Sequence, residues 1–223
     1  MPLEVDHVFV ACAVDAPEAA ALAQLGLVEG SRNVHPGQGT ANRRYFFDNF
    51  MLELLWVANP AEATSSPQNR RTRLWERWIR RRSDACPFGV VFRRSGDLPS
   101  PAPFPTWSYQ PRYLPPHLSI EIAEGTTLQE PELLYLPFVR YEGPRADEPR
   151  NHSVPIRTVR GVSIGLPNDA KLSQASIAAQ RCGLLTYNES DSPILEIRFE
   201  ASAAEVFDLR PTLPVLFRGL VDR

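Results

Sequence analysis

A histidine at the head of one apolar run and a glutamate inside another are the side chains of this sequence best suited to chemistry. His7 follows Asp6 and opens the run Val8-Phe9-Val10-Ala11-Cys12-Ala13-Val14; Glu53 sits within Met51-Leu52-Glu53-Leu54-Leu55. Alternate residues of an extended strand share a face, which groups Glu53 with the apolar Met51, Leu55 and Val57. A carboxylate left unpaired in such surroundings costs several kcal/mol, about 3 or more, so a metal ion or an arginine has to compensate it. Imidazole with carboxylate suits zinc, iron, nickel or manganese, and an open coordination position would let the ion polarise a carbonyl. Plainer readings stand beside this one. An Asp-His pair at a strand start can simply reach water, and Arg43 or Arg44 on the neighbouring strand can neutralise Glu53.

Other residues extend the candidate set. His117 would complete a two-histidine, one-carboxylate group with His7 and Glu53, although it follows Pro115-Pro116 and equally suits a solvated strand end. Glu121 shares its face four residues on, but at about 3.3 Å per residue the two lie ~13 Å apart, so at most one can join the site. The loop His35-Pro36-Gly37-Gln38-Gly39-Thr40-Ala41-Asn42 has glycines that allow close backbone approach to a ligand. His35, Thr40 and Asn42, with Arg43 and Trp56 downstream, are the candidate substrate contacts, and an ordinary turn is the alternative. The loop lacks the Gly-Lys-Ser/Thr ending of a phosphate loop, so no nucleotide cofactor is expected. Glu196 is a second candidate base beside Glu53, yet it shares a face with Arg198 and fits a surface ion pair as well. No Gly-x-Ser-x-Gly elbow occurs. Cys12, Cys86 and Cys182 show no CxxC spacing, which disfavours a nucleophilic cysteine, a disulfide framework and a cysteine zinc site.

The elements that must carry these groups are readable from the pattern. After the strand over residues 8–14, the alanine-rich stretch Glu18 to Leu27 reads as a helix with Gly26 at its C-terminus. Strands over 43–48 and 50–57 flank a turn at Asp48-Asn49. The pattern recurs near the end: residues 7–15 can be laid on 161–169, each followed by an alanine-rich helix and Gly-Leu, and 51–55 on 194–198, which equates Glu53 with Glu196 and His7 with Gly161. Between them, 67–82 has helical period, with Leu74, Trp75, Trp78 and Ile79 as the apolar stripe and seven arginines on the remaining surface. Strands are expected at 88–92, 118–122 and 133–139, the last broken at Pro137, with a proline-rich irregular stretch over 99–116. Residues 201–223 have no assignable pattern. The expected organisation is a first module over 1–60, a degenerate middle segment over 61–155 and a second βα copy with a tail over 156–223, all within one compact domain.

Composition narrows the partners. A formal net charge of -2 from 24 basic and 26 acidic residues favours neither nucleic acid nor an anionic membrane. No stretch approaches the ~18 apolar residues of a membrane span, and the first residues lack a signal-peptide pattern, so a cytoplasmic location is expected. A small-molecule ligand fits best; a homodimer is also compatible.

Asp6-His7-Val8, the 35–42 loop and the strand Met51-Leu52-Glu53-Leu54-Leu55 together resemble the glyoxalase-like branch of the vicinal oxygen chelate superfamily, which includes glyoxalases, bleomycin-resistance proteins and extradiol dioxygenases. That resemblance implies an α+β fold of repeated βαβββ modules whose curved mixed sheets enclose a cavity. It implies a divalent metal held by His, Gln or Glu, with His7 and Glu53 at the matching positions, and a lyase, isomerase or dioxygenase acting on a small oxygenated molecule. Gly161 has no side chain to supply the second module's ligand, and this motivates the alternative of a metal-free, drug-sequestering binder. A third reading makes the arginine-bearing helix a docking surface for a protein partner.

Overall fold

The computed structural model describes residues 3–221. Along the chain the elements are β1 (Leu3–Ala11), α1 (Ala19–Leu25), β2 (Asn33–His35), β3 (Thr40–Phe46), β4 (Met51–Val57), α2 (Pro60–Ala63), α3 (Pro67–Thr72), α4 (Leu74–Arg80) and β5 (Phe88–Arg94). There follow β6 (Thr106–Tyr109), β7 (Ile120–Ala123), β8 (Glu132–Arg140), β9 (Val159–Leu166), α5 (Gln174–Arg181), β10 (Thr186–Glu189), β11 (Ile194–Glu200), β12 (Val206–Asp208) and β13 (Val215–Leu220). They form two curved mixed sheets with few helices, an α+β architecture in which the larger sheet is a half-barrel.

The larger sheet has eight strands in the order β2-β3-β4-β1-β5-β8-β7-β6. β1 runs parallel to β4 and β5 parallel to β8, while β1 and β5 meet antiparallel at the centre. The arrangement β1-β4-β3-β2 is thus repeated by β5-β8-β7-β6 on the other side of the seam. The smaller sheet, β10-β9-β11-β13-β12, takes in residues of the C-terminal stretch that shows no pattern in sequence.

Alternation divides the large sheet into two chemically different faces. Val8, Val10, Leu52, Leu54, Trp56, Phe88, Val90 and Phe92 point outward and merge with Val162, Ile164, Leu195, Ile197, Val215 and Phe217 of the small sheet, and with Leu22 and Ala179, into the main core. Phe9, Leu55, Val91, Ile120, Ile122 and Leu134 point into the concave side, where Leu74, Trp107 and Leu114 close over them.

Three local expectations need correction. The helix expected over 67–82 is two helices, because Arg73 adopts a left-handed φ of 57° and restarts the chain. The stripe is altered too: Ile79 is exposed, while Arg77 is buried and donates to the carbonyls of Cys86 (2.6 Å) and Glu130 (2.9 Å). The strand around Pro137 is not ended there, since β8 continues to Arg140 and Pro137 falls where pairing with β5 skips from Leu136 to Arg140. Finally, β4 is parallel to β1 whereas β11 is antiparallel to β9, so the strands matched by sequence as 51–55 and 194–198 hold different places in their sheets.

Candidate functional site

Two rows of paired residues cross the centre of the large sheet and carry the site. Met51, His7, Val91 and Leu134 form one row; Glu53, Phe9, Gly89 and Glu132 form the next. All eight lie on the four central strands. The first row and Glu53 line a concave cavity of about 320 Å³, at the small end of the range for ligand sites, roughly 300–1,000 Å³.

His7 and Glu53 converge there, with Nε2 and Oε2 3.5 Å apart and both residues largely buried. Their remaining polar atoms are engaged. His7 Nδ1 lies 2.5 Å from Asp6 Oδ1, and Asp6 also accepts from Arg93 Nη1 at 2.9 Å. Burial pushes the Asp6 carboxyl up, but the His7 hydrogen bond and the charges of His7 and Arg93 outweigh it and hold the group at about 2. In the neutral ring, an ionised Asp6 selects the tautomer that carries hydrogen on Nδ1, which leaves the Nε2 lone pair facing Glu53. Asn42 Nδ2 donates to Glu53 Oε1 and is itself oriented by accepting from the Asn33 amide at 2.9 Å. Glu53 Oε2 remains free for whatever occupies the cavity. His35 closes the same wall: Nδ1 meets Thr40 Oγ1 at 2.8 Å, the ring packs against Tyr113 at 4.8 Å, and burial keeps the imidazole below its ordinary 6.5.

The opposite half is hydrocarbon, made by Val91, Ile120, Leu134 and Leu136 under Leu74 and Leu114. Gly89 explains part of this. A Cβ there would meet the Phe9 ring at 2.1 Å, so the ring lies over the glycine and fills the space that a side chain from β5 would need.

The remaining candidates are dispersed. Asn42 and His35 face the cavity and Thr40 supports His35. Arg43 alternates away from it and pairs with Glu29 and the Ala16 carbonyl. Trp56 is one residue out of phase with Leu55 and sits in the main core. His117 lies in an exposed turn before β7, outside the cavity lining, and is not in the strand that its pairing with Glu121 assumed. Glu196 belongs to the small sheet, bound to Arg218 at 2.7 Å. Gly161 lies beneath Arg198, whose guanidinium would be 3.0 Å from a Cβ at that position. Sequence reading missed Asp6 as the partner of His7, although its adjacency was the available signal. Arg93, which holds Asp6 from the far side of the seam, had no such signal.

A divalent ion can be tested against the donors present. Among the described residues no group of three or more His, Cys, Asp or Glu side chains is placed to hold one. His7 and Glu53 nonetheless fit as a two-donor half-site: 3.5 Å is too long for a hydrogen bond, and close to the roughly 3.4 Å that separates two donors each about 2.1 Å from one tetrahedral ion. Their supporting contacts to Asp6 and Asn42 are of the kind that orient metal ligands.

The two curved mixed sheets and few helices are those of the vicinal oxygen chelate fold. The family model described as glyoxalase-like domain matches residues 5–176, and the chain belongs to that family. Comparison with curated proteins returns no match. Among solved structures, a hypothetical protein from Staphylococcus aureus is similar at 9% identity and a TM-score of 0.53, over 99% of this chain and 100% of that one. A xylose isomerase-like TIM barrel/4-hydroxyphenylpyruvate dioxygenase fusion protein aligns at 9% identity and a TM-score of 0.50, over 92% of this chain and 39% of its own. A variant of 4-hydroxymandelate synthase from Streptomyces coelicolor aligns at 12% identity and a TM-score of 0.44, over 99% of this chain and 63% of its own. The chain therefore spans less than two thirds of the length of these last two proteins.

Proposed function

We propose that this glyoxalase-like protein binds one small amphipathic, oxygen-bearing molecule in the concave cavity and acts on its oxygenated end through His7 and Glu53, assisted by a divalent ion. The observation that carries the proposal is the approach of His7 Nε2 to Glu53 Oε2 within 3.5 Å on the polar wall of a chamber whose opposite half is hydrocarbon. The hydrocarbon half holds the apolar body of the ligand by excluding water. Asn42 keeps Glu53 aimed, and the Asp6 carboxylate keeps Nδ1 of His7 protonated. His7 and Glu53 would hold the ion, which when bound would polarise a carbonyl oxygen of the ligand. With two protein donors, the ion is expected to exchange readily and to need addition.

Calorimetric titration with Zn²⁺ or Mn²⁺ tests this reading. One ion per chain is expected in the native protein and none in His7→Ala or Glu53→Gln. Unchanged titration in both variants would refute it.

The apolar opposite half favours a second reading, a sequestering protein that binds without metal. Ligand-dependent thermal shifts that persist in chelator would distinguish it.

A further inference from the structure

Two guanidinium groups stand at the entrance of the cavity without full compensation. Arg44 lines it from β3, directly opposite Glu53 in the strand register, and Arg145 lines it from the segment between β8 and β9. Both stack on the same buried ring: Arg44 Cζ is 5.2 Å and Arg145 Cζ 5.5 Å from the centroid of Phe46. Phe46 thus brings together two like charges that repel each other, an arrangement that cation–π attraction of roughly 0.5–2 kcal/mol per pair helps to hold.

Glu148 offsets part of this charge, and Glu53 and Asp6 act on it from further away. Arg44 gives hydrogen bonds to the Ser31 carbonyl and hydroxyl, and its nearest acid, Glu148, is 3.8 Å away while bonded to the Ser31 amide at 2.9 Å and to its hydroxyl. Among the described residues Arg145 has no acid within ion-pair distance. Asp6 is already bound to Arg93. Burial lowers the proton affinity of Arg44 and Arg145 adds to this, while the Glu148 and Glu53 charges oppose it.

We infer that Arg44 and Arg145 form an anion subsite at the cavity mouth, and that the ligand is a small monocarboxylic acid with an apolar body. This rests on the binding reading above and specifies its ligand class. The carboxylate would lie between the two guanidiniums, whose planar forks match its geometry. A dianion such as a phosphate ester is disfavoured because Glu148 and Glu53 stand close to the same entrance.

The experiment compares phenylacetate with its neutral isostere phenylacetamide by isothermal titration, using the full chain as native protein, Arg44→Met and Arg145→Met. Arg145 is exposed, so its replacement leaves the core untouched. Phenylacetate is expected to bind at least tenfold more tightly than the amide, with the ratio falling towards one in Arg145→Met and in Arg44→Met. Equal binding of acid and amide by the native protein would overturn the anion subsite and leave the cavity reading standing. Failure of both probes to bind at millimolar concentration would overturn the two together. Phenyl phosphate binding tenfold more tightly than phenylacetate would overturn the assignment to a monocarboxylate.

Discussion

Replacing Asp6 by Asn probes the support of His7 directly, because the side chain keeps its volume and one acceptor while losing its charge. Asp6 is 4% exposed and accepts from His7 and Arg93. Its carboxyl is held at about 2 instead of 3.8, a difference worth about 2.5 kcal/mol of native-state stability at neutral pH. The pH window follows from the direction. A depressed carboxyl stabilises the fold fully above 3.8 and loses that contribution as pH falls through about 2, below which the folded and the unfolded chains are both protonated. Urea unfolding of native protein and Asp6→Asn should therefore differ by about 2 kcal/mol at pH 7, with the gap closing between about pH 4 and pH 2. Other acids titrate alike in both chains, so the gap isolates Asp6. A gap of the same size at pH 7 and pH 3 would refute the charge argument and leave a packing defect in its place. The same variant should bind Zn²⁺ roughly 10–100-fold more weakly, as expected when the partner of a metal-binding imidazole is removed.

Glu132 titrates in the opposite sense: burial, only partly offset by Arg77 and Arg73, raises it to about 7 from 4.5. Arg77 is 3.9 Å away, and neither Arg77 Nε nor Glu132 Oε2 has a hydrogen-bond partner, so this ion pair does not repay desolvation. Stability contributed by the raised pKa is complete below 4.5 and lost as pH rises through 7; Glu132→Gln should remove that loss and be the more stable chain at pH 8.5 by up to about 3 kcal/mol, measured by urea unfolding. Burial lowers His35 below 6.5, so the unfolded chain takes the proton first and native stability should drop as pH falls below 6.5; a His35→Gln variant should show a flatter stability profile between pH 7 and pH 5. Gly89→Ala places a methyl 2.1 Å from the Phe9 ring and should cost about 1–3 kcal/mol in thermal unfolding, with much of the loss recovered when Phe9→Leu is added.

The parts of the site legible in sequence were those set by local periodicity. Alternation in β4 correctly separates Glu53 and Leu55 from Leu54, and the same rule places Trp56 in the core, where it cannot touch a ligand. Gly26, with φ of 100°, ends α1 as its position suggests. Long-range choices were not legible. Arg43 and Arg44 both lay within reach of Glu53 on the neighbouring strand, yet Glu29 and Ser31 take them and Asn42 takes the carboxylate. The stripe of Leu74, Trp75 and Trp78 looked like one helical face, but nothing in its period announces that Arg73 turns left-handed or that Arg77 is drawn inward by the carbonyls of Cys86 and Glu130. Strand sense was equally hidden, since residues 51–55 and 194–198 share a pattern that suits parallel and antiparallel neighbours alike.

The row Glu53, Phe9, Gly89, Glu132 shows how one motif acquires two fates. Glu53-Leu54-Leu55-Trp56 and Glu132-Leu133-Leu134-Tyr135 have the same pattern, and each glutamate lies on a strand parallel to its partner at the central seam. Three strand spacings, about 14 Å, separate them, and the Phe9 ring over Gly89 stands between. On one side of that ring the β2–β3 hairpin brings Asn42 and His35 beside Glu53, while His7 comes from β1, leaving a carboxylate oxygen open to a cavity. On the other side the segment carrying α4 lowers Arg77 onto Glu132, and the cavity of about 350 Å³ left there is lined by Arg71, Arg73 and Arg77. The sheet supplies two equivalent inward positions, each beside a cavity, and what covers each one decides its partner: an imidazole for Glu53 and a guanidinium for Glu132.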